Sequence, residues 1–180
     1  MNHKSITILG VDPGSARIGY GLIEKTGAQL TLRTTGVIEI KEKESGAQLL
    51  LLARAYTKLL KKYKPDVIGI EKLFFTNNIK TGIKVAQSRG LLIYLSLIHL
   101  QSFKIKNSKF EISLTEFTPQ QIKQAVTNYG GADKKAVARM VSLLLKTPHL
   151  KELDDATDAL AIALCAANYI PQNPDTKPRF

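Results

Sequence analysis

Cysteine is nearly absent. A lone Cys165 in 180 residues leaves no internal disulfide to form and no Cys-rich zinc site to build, so a reducing compartment is expected. Long apolar runs are missing too. The most hydrophobic, Leu91 to Leu100, is ten residues long and contains Ser96 and His99, against the roughly 20 apolar residues that a bilayer crossing needs. It reads as a buried helix, and Met1 to Ser5 runs into strand-like sequence with no apolar signal core. The expectation is a soluble, cytoplasmic protein. Acid is scarce relative to base: 15 Asp+Glu stand against 26 Lys+Arg, for a net charge of +11 and a pI near 9.7. Such a surface suits a polyanion, either nucleic acid or an acidic membrane face. The rest is ordinary. Hydrophobic residues make up 44% and charged residues 23%, a soluble globular balance with enough apolar material for one domain's core.

Periodicity divides the chain. Ile6 to Val11, Arg17 to Glu24 and Gln29 to Ile40 read as strands, broken by Asp12-Pro13-Gly14-Ser15 and Lys25-Thr26-Gly27. Short turns between them predict an antiparallel meander. Ser45 is placed to cap a helix carrying Leu49, Leu52, Tyr56, Leu59 and Leu60, which Pro65 ends. Val67 to Ile70 is a short buried strand closing on Glu71. A helix follows from about Ile79 to Gln101, with Ile83, Ala86, Gly90, Ile93 and Leu97 on one stripe, then a strand from Glu111 to Phe117. Pro119 opens a helix that stops near Tyr129-Gly130-Gly131, Asp133 caps another, and the last begins around Asp154 and fades before Pro171. The order β-β-β-α-β-α-β-α-α-α predicts one mixed-sheet α/β domain over residues 1–170. Residues 171–180 are expected to fray. There is no internal repeat and no low-complexity segment.

Charge is uneven. Residues 101–151 hold nine Lys/Arg and three Asp/Glu, whereas residues 152–180 hold two and five. Within that acidic stretch Asp155 and Asp158 are three apart, hence on one helix face. The following Ala159 to Ala167 is apolar on every side, so the helix is buried. Capping and dipole complementation account for Asp154 and Asp155 but not for Asp158, a turn further in. Asp12 ends the first strand, where Asp before Pro-Gly also serves as turn chemistry. Glu71 ends a buried strand and needs a partner or a cation. Taken singly, a capping or surface role suits Asp12 and Glu71 as well as a functional one. Together, oxygen ligands with no nearby His or Cys favour a hard cation, Mg²⁺ or Mn²⁺. Two such ions suit phosphodiester hydrolysis, and a basic surface with local acid suits a nuclease.

Four blocks then carry a resemblance. Ile8-Leu9-Gly10-Val11-Asp12-Pro13-Gly14-Ser15 with Gly19-Tyr20-Gly21, Ile70-Glu71-Lys72-Leu73-Phe74-Phe75, Gln87-Ser88-Arg89-Gly90, and Asp155-Ala156-Thr157-Asp158-Ala159-Leu160-Ala161 resemble, in order and spacing, the RuvC family of Holliday-junction resolvases. The likeness runs from about Ile6 to Ala166. It implies a ribonuclease H-like fold, a five-stranded mixed sheet with helices on both faces, and a homodimer. It also implies Mg²⁺-dependent paired nicking of four-way junction DNA, leaving 5′-phosphate and 3′-hydroxyl ends, and a RuvA–RuvB branch-migration complex as partner. The catalytic and metal-binding carboxylates it implies are Asp12, Glu71, Asp155 and Asp158, with two ions in each site.

The same resemblance assigns phosphate contact to Lys123 and Lys134, although Lys135 leaves the second register open by one residue. It assigns base stacking to Phe74, with Asn78 fitting the pattern after it. Core packing is the competing role for Phe74 or Phe75. Lys72 follows the glutamate where relatives often carry Gln, and Asp154 beside Asp155 offers a second carboxylate at that register. Three rival readings remain: an actin-like or sugar-kinase ATPase, which needs two lobes; a RuvX/YqgF-like RNA-processing nuclease; and an inactive branched-DNA-binding module.

Overall fold

The computed structural model describes residues 5–73, 79–104, 114–147 and 154–170. A five-stranded sheet runs in the order β3-β2-β1-β4-β5. Its strands are β1 (Ile6–Asp12), β2 (Arg17–Thr26), β3 (Gln29–Glu39), β4 (Val67–Glu71) and β5 (Leu114–Phe117). The first three are antiparallel to one another, as the meander predicts, and β4 and β5 run parallel to β1. Between the strands come α1 (Ser45–Tyr63), α2 (Ile79–Lys104), α3 (Pro119–Thr127), α4 (Lys134–Leu144) and α5 (Asp154–Asn168). The expected element order holds. Residues 111–113 of the last expected strand and the tail after residue 170 lie outside the described residues.

Strand alternation sends side chains to two cores. Ile8 and Ile23 pack with α3, α4 and α5 on one face. Leu9, Val11, Leu22, Ile68 and Ile70 pack with α1 and α2 on the other. Helix ends follow local chemistry. Thr118 and Gln121 form a reciprocal capping box before Pro119, Asp133 accepts from Ala136 N–H at 2.7 Å, and Lys64 closes α1 in the left-handed region at φ 46°. One cap differs from expectation. Glu44, not Ser45, accepts from the Gly46 and Ala47 amides, because its longer side chain reaches back over the first turn and Ser45 is already helical.

The expected stripe of α2 divides: Ile83, Ala86, Gly90 and Leu97 face outward, with Ile83 53% and Leu97 44% exposed, whereas Ile93 is partly buried against the core. The inward face carries Leu92, Leu100 and two buried serines, Ser88 and Ser96. Ser96 is tolerated there because its hydroxyl meets the Tyr56 hydroxyl at 2.8 Å and donates to the Leu92 carbonyl at 2.7 Å.

Helix α5 lies directly on the sheet. A Cβ at Gly10 would stand 2.0 Å from the Ala159 carbonyl oxygen, and one at Gly19 would stand 2.0 Å from that of Asp155. Glycine in β1 and β2 is what lets the helix backbone approach so closely.

Candidate active site

Parallel pairing of Val11 with Ile70 brings the carboxyl ends of β1 and β4 side by side. Asp12 and Glu71, one residue further along each strand, therefore sit at the same sheet edge and share a side-chain hydrogen bond. The close seat of α5 delivers Asp155 and Asp158 to that edge. All four carboxylates line one open cavity of about 420 Å³, together with Lys123 and Lys134. The sequence-predicted set thus comes together from β1, β4 and α5, with one lysine from each of α3 and α4. Asp154 is exposed and stands outside this lining, as does Lys135. Phe74 and Asn78 lie outside the described residues.

Electrostatics at the site are dominated by crowded acid. Burial pushes the Asp12 carboxyl up to about 8, with Glu71, Asp158 and Asp155 adding to the shift. Glu71 is raised as well, mainly by burial, with Lys134 and Lys123 opposing. Burial and the neighbouring carboxylates thus favour the protonated form of Asp12, whose hydroxyl donates toward Glu71. The helix aspartates are neutralised differently: Arg17 Nε donates to Asp155 Oδ2 at 2.9 Å and Lys134 Nζ to Asp158 Oδ2 at 3.2 Å. Arg17 also reaches Glu39 at 3.4 Å.

With those side chains so engaged, no three acidic, histidine or cysteine groups among the described residues are arranged to enclose a metal ion. The donor chemistry nevertheless fits one. Four hard oxygen donors line one cavity, burial and neighbouring carboxylates hold the most buried of them toward its protonated form, and exposed ion pairs of the Arg17 kind exchange cheaply. Arg17 is the site residue that sequence reading missed. It is 138 positions from Asp155, and nothing in its own spacing marks it.

The family model described as crossover junction endodeoxyribonuclease RuvC matches residues 8–166. A crossover junction endodeoxyribonuclease RuvC of Petrotoga mobilis is 43% identical over 165 residues, covering 91% of this chain and 94% of that one. Its counterpart in Thermosipho melanesiensis is 40% identical over 161 residues, covering 89% and 96%. Among solved structures, Thermus thermophilus RuvC in complex with a Holliday junction substrate superimposes with a TM-score of 0.77 at 24% identity, over 90% of this chain and 93% of that one. That likeness gives the fold as ribonuclease H-like.

Proposed function

The chain belongs to the RuvC family of crossover junction endodeoxyribonucleases, and from that premise we propose that it resolves four-way DNA junctions by paired hydrolytic nicks during recombination and repair. The observation that carries this reading is the meeting of Asp12, Glu71, Asp155 and Asp158 in one cavity on a chain of net charge +11. Asp12, Glu71, Asp155 and Asp158 would hold the divalent ions, with Mg²⁺ the proposed species and Mn²⁺ a substitute. When bound, that pair supplies an activated water and neutralises charge at the scissile phosphate.

The chain's own residues do the remainder. Asp12 and Glu71, which share a proton, would both serve as ligands with that proton released to solvent. Asp155 and Asp158, now paired with Arg17 and Lys134, would hold the ions in place of those cations. Lys134 and Lys123 are then free to meet the phosphates beside the cut. The products are a 5′-phosphate and a 3′-hydroxyl. Phe74, with Asn78 beside it, is proposed to stack on bases exposed at the crossover, a contact of about 1–3 kcal/mol.

A junction with two-fold symmetry calls for two such sites, and we assign a homodimer to the outward seam of α2. Ile79, Ile83, Ala86, Gly90, Tyr94 and Leu97 recur at three- and four-residue steps on the exposed side of this helix. A RuvA–RuvB branch-migration complex is the proposed protein partner, in the cytoplasm. Among the described residues no helix is long and apolar enough to cross a membrane.

The test is cleavage of a synthetic mobile four-way junction beside duplex DNA, single-stranded DNA and RNA, with Mg²⁺, with EDTA, and for Asp12→Asn. Symmetric nicks confined to the junction, lost with EDTA and in the variant, are expected. Tight junction binding without nicks in Mg²⁺ or Mn²⁺ would leave a binding module. Preferred cutting of RNA would move the protein to the processing nucleases.

A further inference from the structure

Arg89 belongs to none of the functions assigned so far, although it sits within the Gln87-Ser88-Arg89-Gly90 block. It projects from α2, on the sheet face opposite the carboxylates, and its side chain is 19% exposed. Its Nε donates to the Glu71 main-chain carbonyl at 3.1 Å, and an Nη atom reaches Glu116 Oε2 of β5 at 2.5 Å. One guanidinium thus ties a helix to the ends of two neighbouring strands. Those ends need tying. Glu71 is the last residue of β4, and beyond it Lys72 N–H holds to the Phe117 carbonyl at 2.7 Å before the ladder stops.

We infer that Arg89 is a positioning residue that sets the aim of the Glu71 carboxylate by holding the Glu71 carbonyl from behind. The inference rests on the proposed metal-dependent site. A carbonyl held by a rigid fork fixes the peptide plane after Glu71. It thereby fixes the direction in which Cα–Cβ leaves the strand toward Asp12. The anchor itself is firm. Ser88 beside it and Leu92 one turn later are fully buried, so the helix cannot roll without opening the core. Arginine suits the task because its planar donors serve two acceptors at once. A lysine ammonium is a point charge on a flexible stem and would favour the Glu116 carboxylate, releasing the carbonyl.

The decisive experiment compares wild type with Arg89→Lys by Mn²⁺ titration calorimetry on the free protein. Junction affinity in EDTA, single-turnover nicking against Mn²⁺ concentration, and Tm complete the set. Weaker Mn²⁺ binding, on the order of 10-fold as for other residues that orient metal ligands, is expected. Nicking should then need correspondingly more metal, while junction affinity stays within about twofold. Wild-type Mn²⁺ affinity in Arg89→Lys, whatever its Tm, overturns the inference, and so does a loss of junction affinity as large as the loss of rate. Glu116→Gln is the milder second variant. It keeps the carbonyl bond but replaces the charged acceptor on the other side of the fork with a neutral amide oxygen, and a smaller loss of Mn²⁺ affinity is expected, with none overturning the claim if Arg89→Lys fails to fold. Should wild type bind Mn²⁺ yet nick no junction, the resolvase reading fails, and the calorimetric comparison still decides the role of Arg89.

Discussion

Asp12 has a cost that can be read in solution. A carboxyl whose folded pKa stands far above its free value of 3.8 holds its proton more tightly folded than unfolded. Its contribution is fully present below about pH 4 and is lost as pH rises through about 8. The metal-free protein should therefore lose stability across that window, and a divalent cation added at pH 8 should restore it. His99 pulls the other way. Burial lowers its pKa, so the stability it contributes is present above about pH 6.5 and is lost as pH falls below that toward the lowered folded value. The difference between wild type and Asp12→Asn isolates the carboxyl. At pH 8 without metal, relieving the buried charge should raise Tm above that of wild type, while nicking disappears. A variant that melts below wild type at pH 8 would contradict the buried-charge account. Cys165 gives a second check at this scale. It is fully buried with its thiol pushed up to about 12, so a thiol reagent should label it only on unfolding. Rapid labelling of the native chain would mean that α5 is not seated as described.

At the scale of elements, the seat of α5 decides whether the carboxylates meet. Its burial and the shared face of Asp155 and Asp158 were legible, because an all-apolar run after two acids three apart has one physical reading. How close the helix lies was carried by Gly10 and Gly19, isolated glycines inside strands that signal a near backbone. Gly10→Ala would press a methyl onto the Ala159 carbonyl and the Ala163 amide, backbone atoms that cannot swing away. A loss of about 3 kcal/mol, or roughly 6–12 °C in Tm, should follow, with nicking impaired beyond the loss of fold. Near-wild-type melting would show that the helix has room to lift. Other features were illegible for stated reasons. Apolar residues on several sides of α2 gave two usable faces, and the buried one holds Ser96, a polar residue whose hydrogen bonds to Tyr56 and Leu92 are invisible in the sequence. The Arg17–Asp155 pair joins sites 138 positions apart, beyond any local pattern. Asp12 and Glu71 stood out as strand-end carboxylates and Asp158 as an acid a turn inside a buried helix, and the family resemblance joined them with Asp155 into one set. Of the two cations paired with the helix aspartates, Lys134 came with the resemblance, whereas Arg17 was lost among the many lysines and arginines of this sequence.

For the whole molecule, two global features point to the same arrangement on DNA. Net charge of +11 predicts that junction affinity falls steeply with salt, by a log–log slope of about −0.9 for each phosphate neutralised. A flat dependence would mean that the basic surface is not the DNA surface. The second feature is the outward seam of α2, where Tyr94 and Leu97 stand exposed with Gly90 between turns and open space above it. Isolated exposed apolar residues are ordinary, but a continuous helical row of them is a surface awaiting a cover. A second copy of α2 fits best, since an isologous contact pairs the row with itself and presents two cavities related by a two-fold axis. Leu97→Glu discriminates. At an exposed position the added charge costs the isolated chain little, yet at a self-paired seam it sets two like charges across the axis. Sedimentation at micromolar concentration should then show wild type as a dimer and Leu97→Glu as a monomer. The monomer should still bind Mn²⁺ with wild-type affinity, because its four carboxylates come from one chain. What it should lose is coupling: nicks on the two junction strands would fall at independent times, and linear duplex products would appear late. Paired, simultaneous nicking by a Leu97→Glu protein that sediments as a monomer would place the partner contact elsewhere on the molecule.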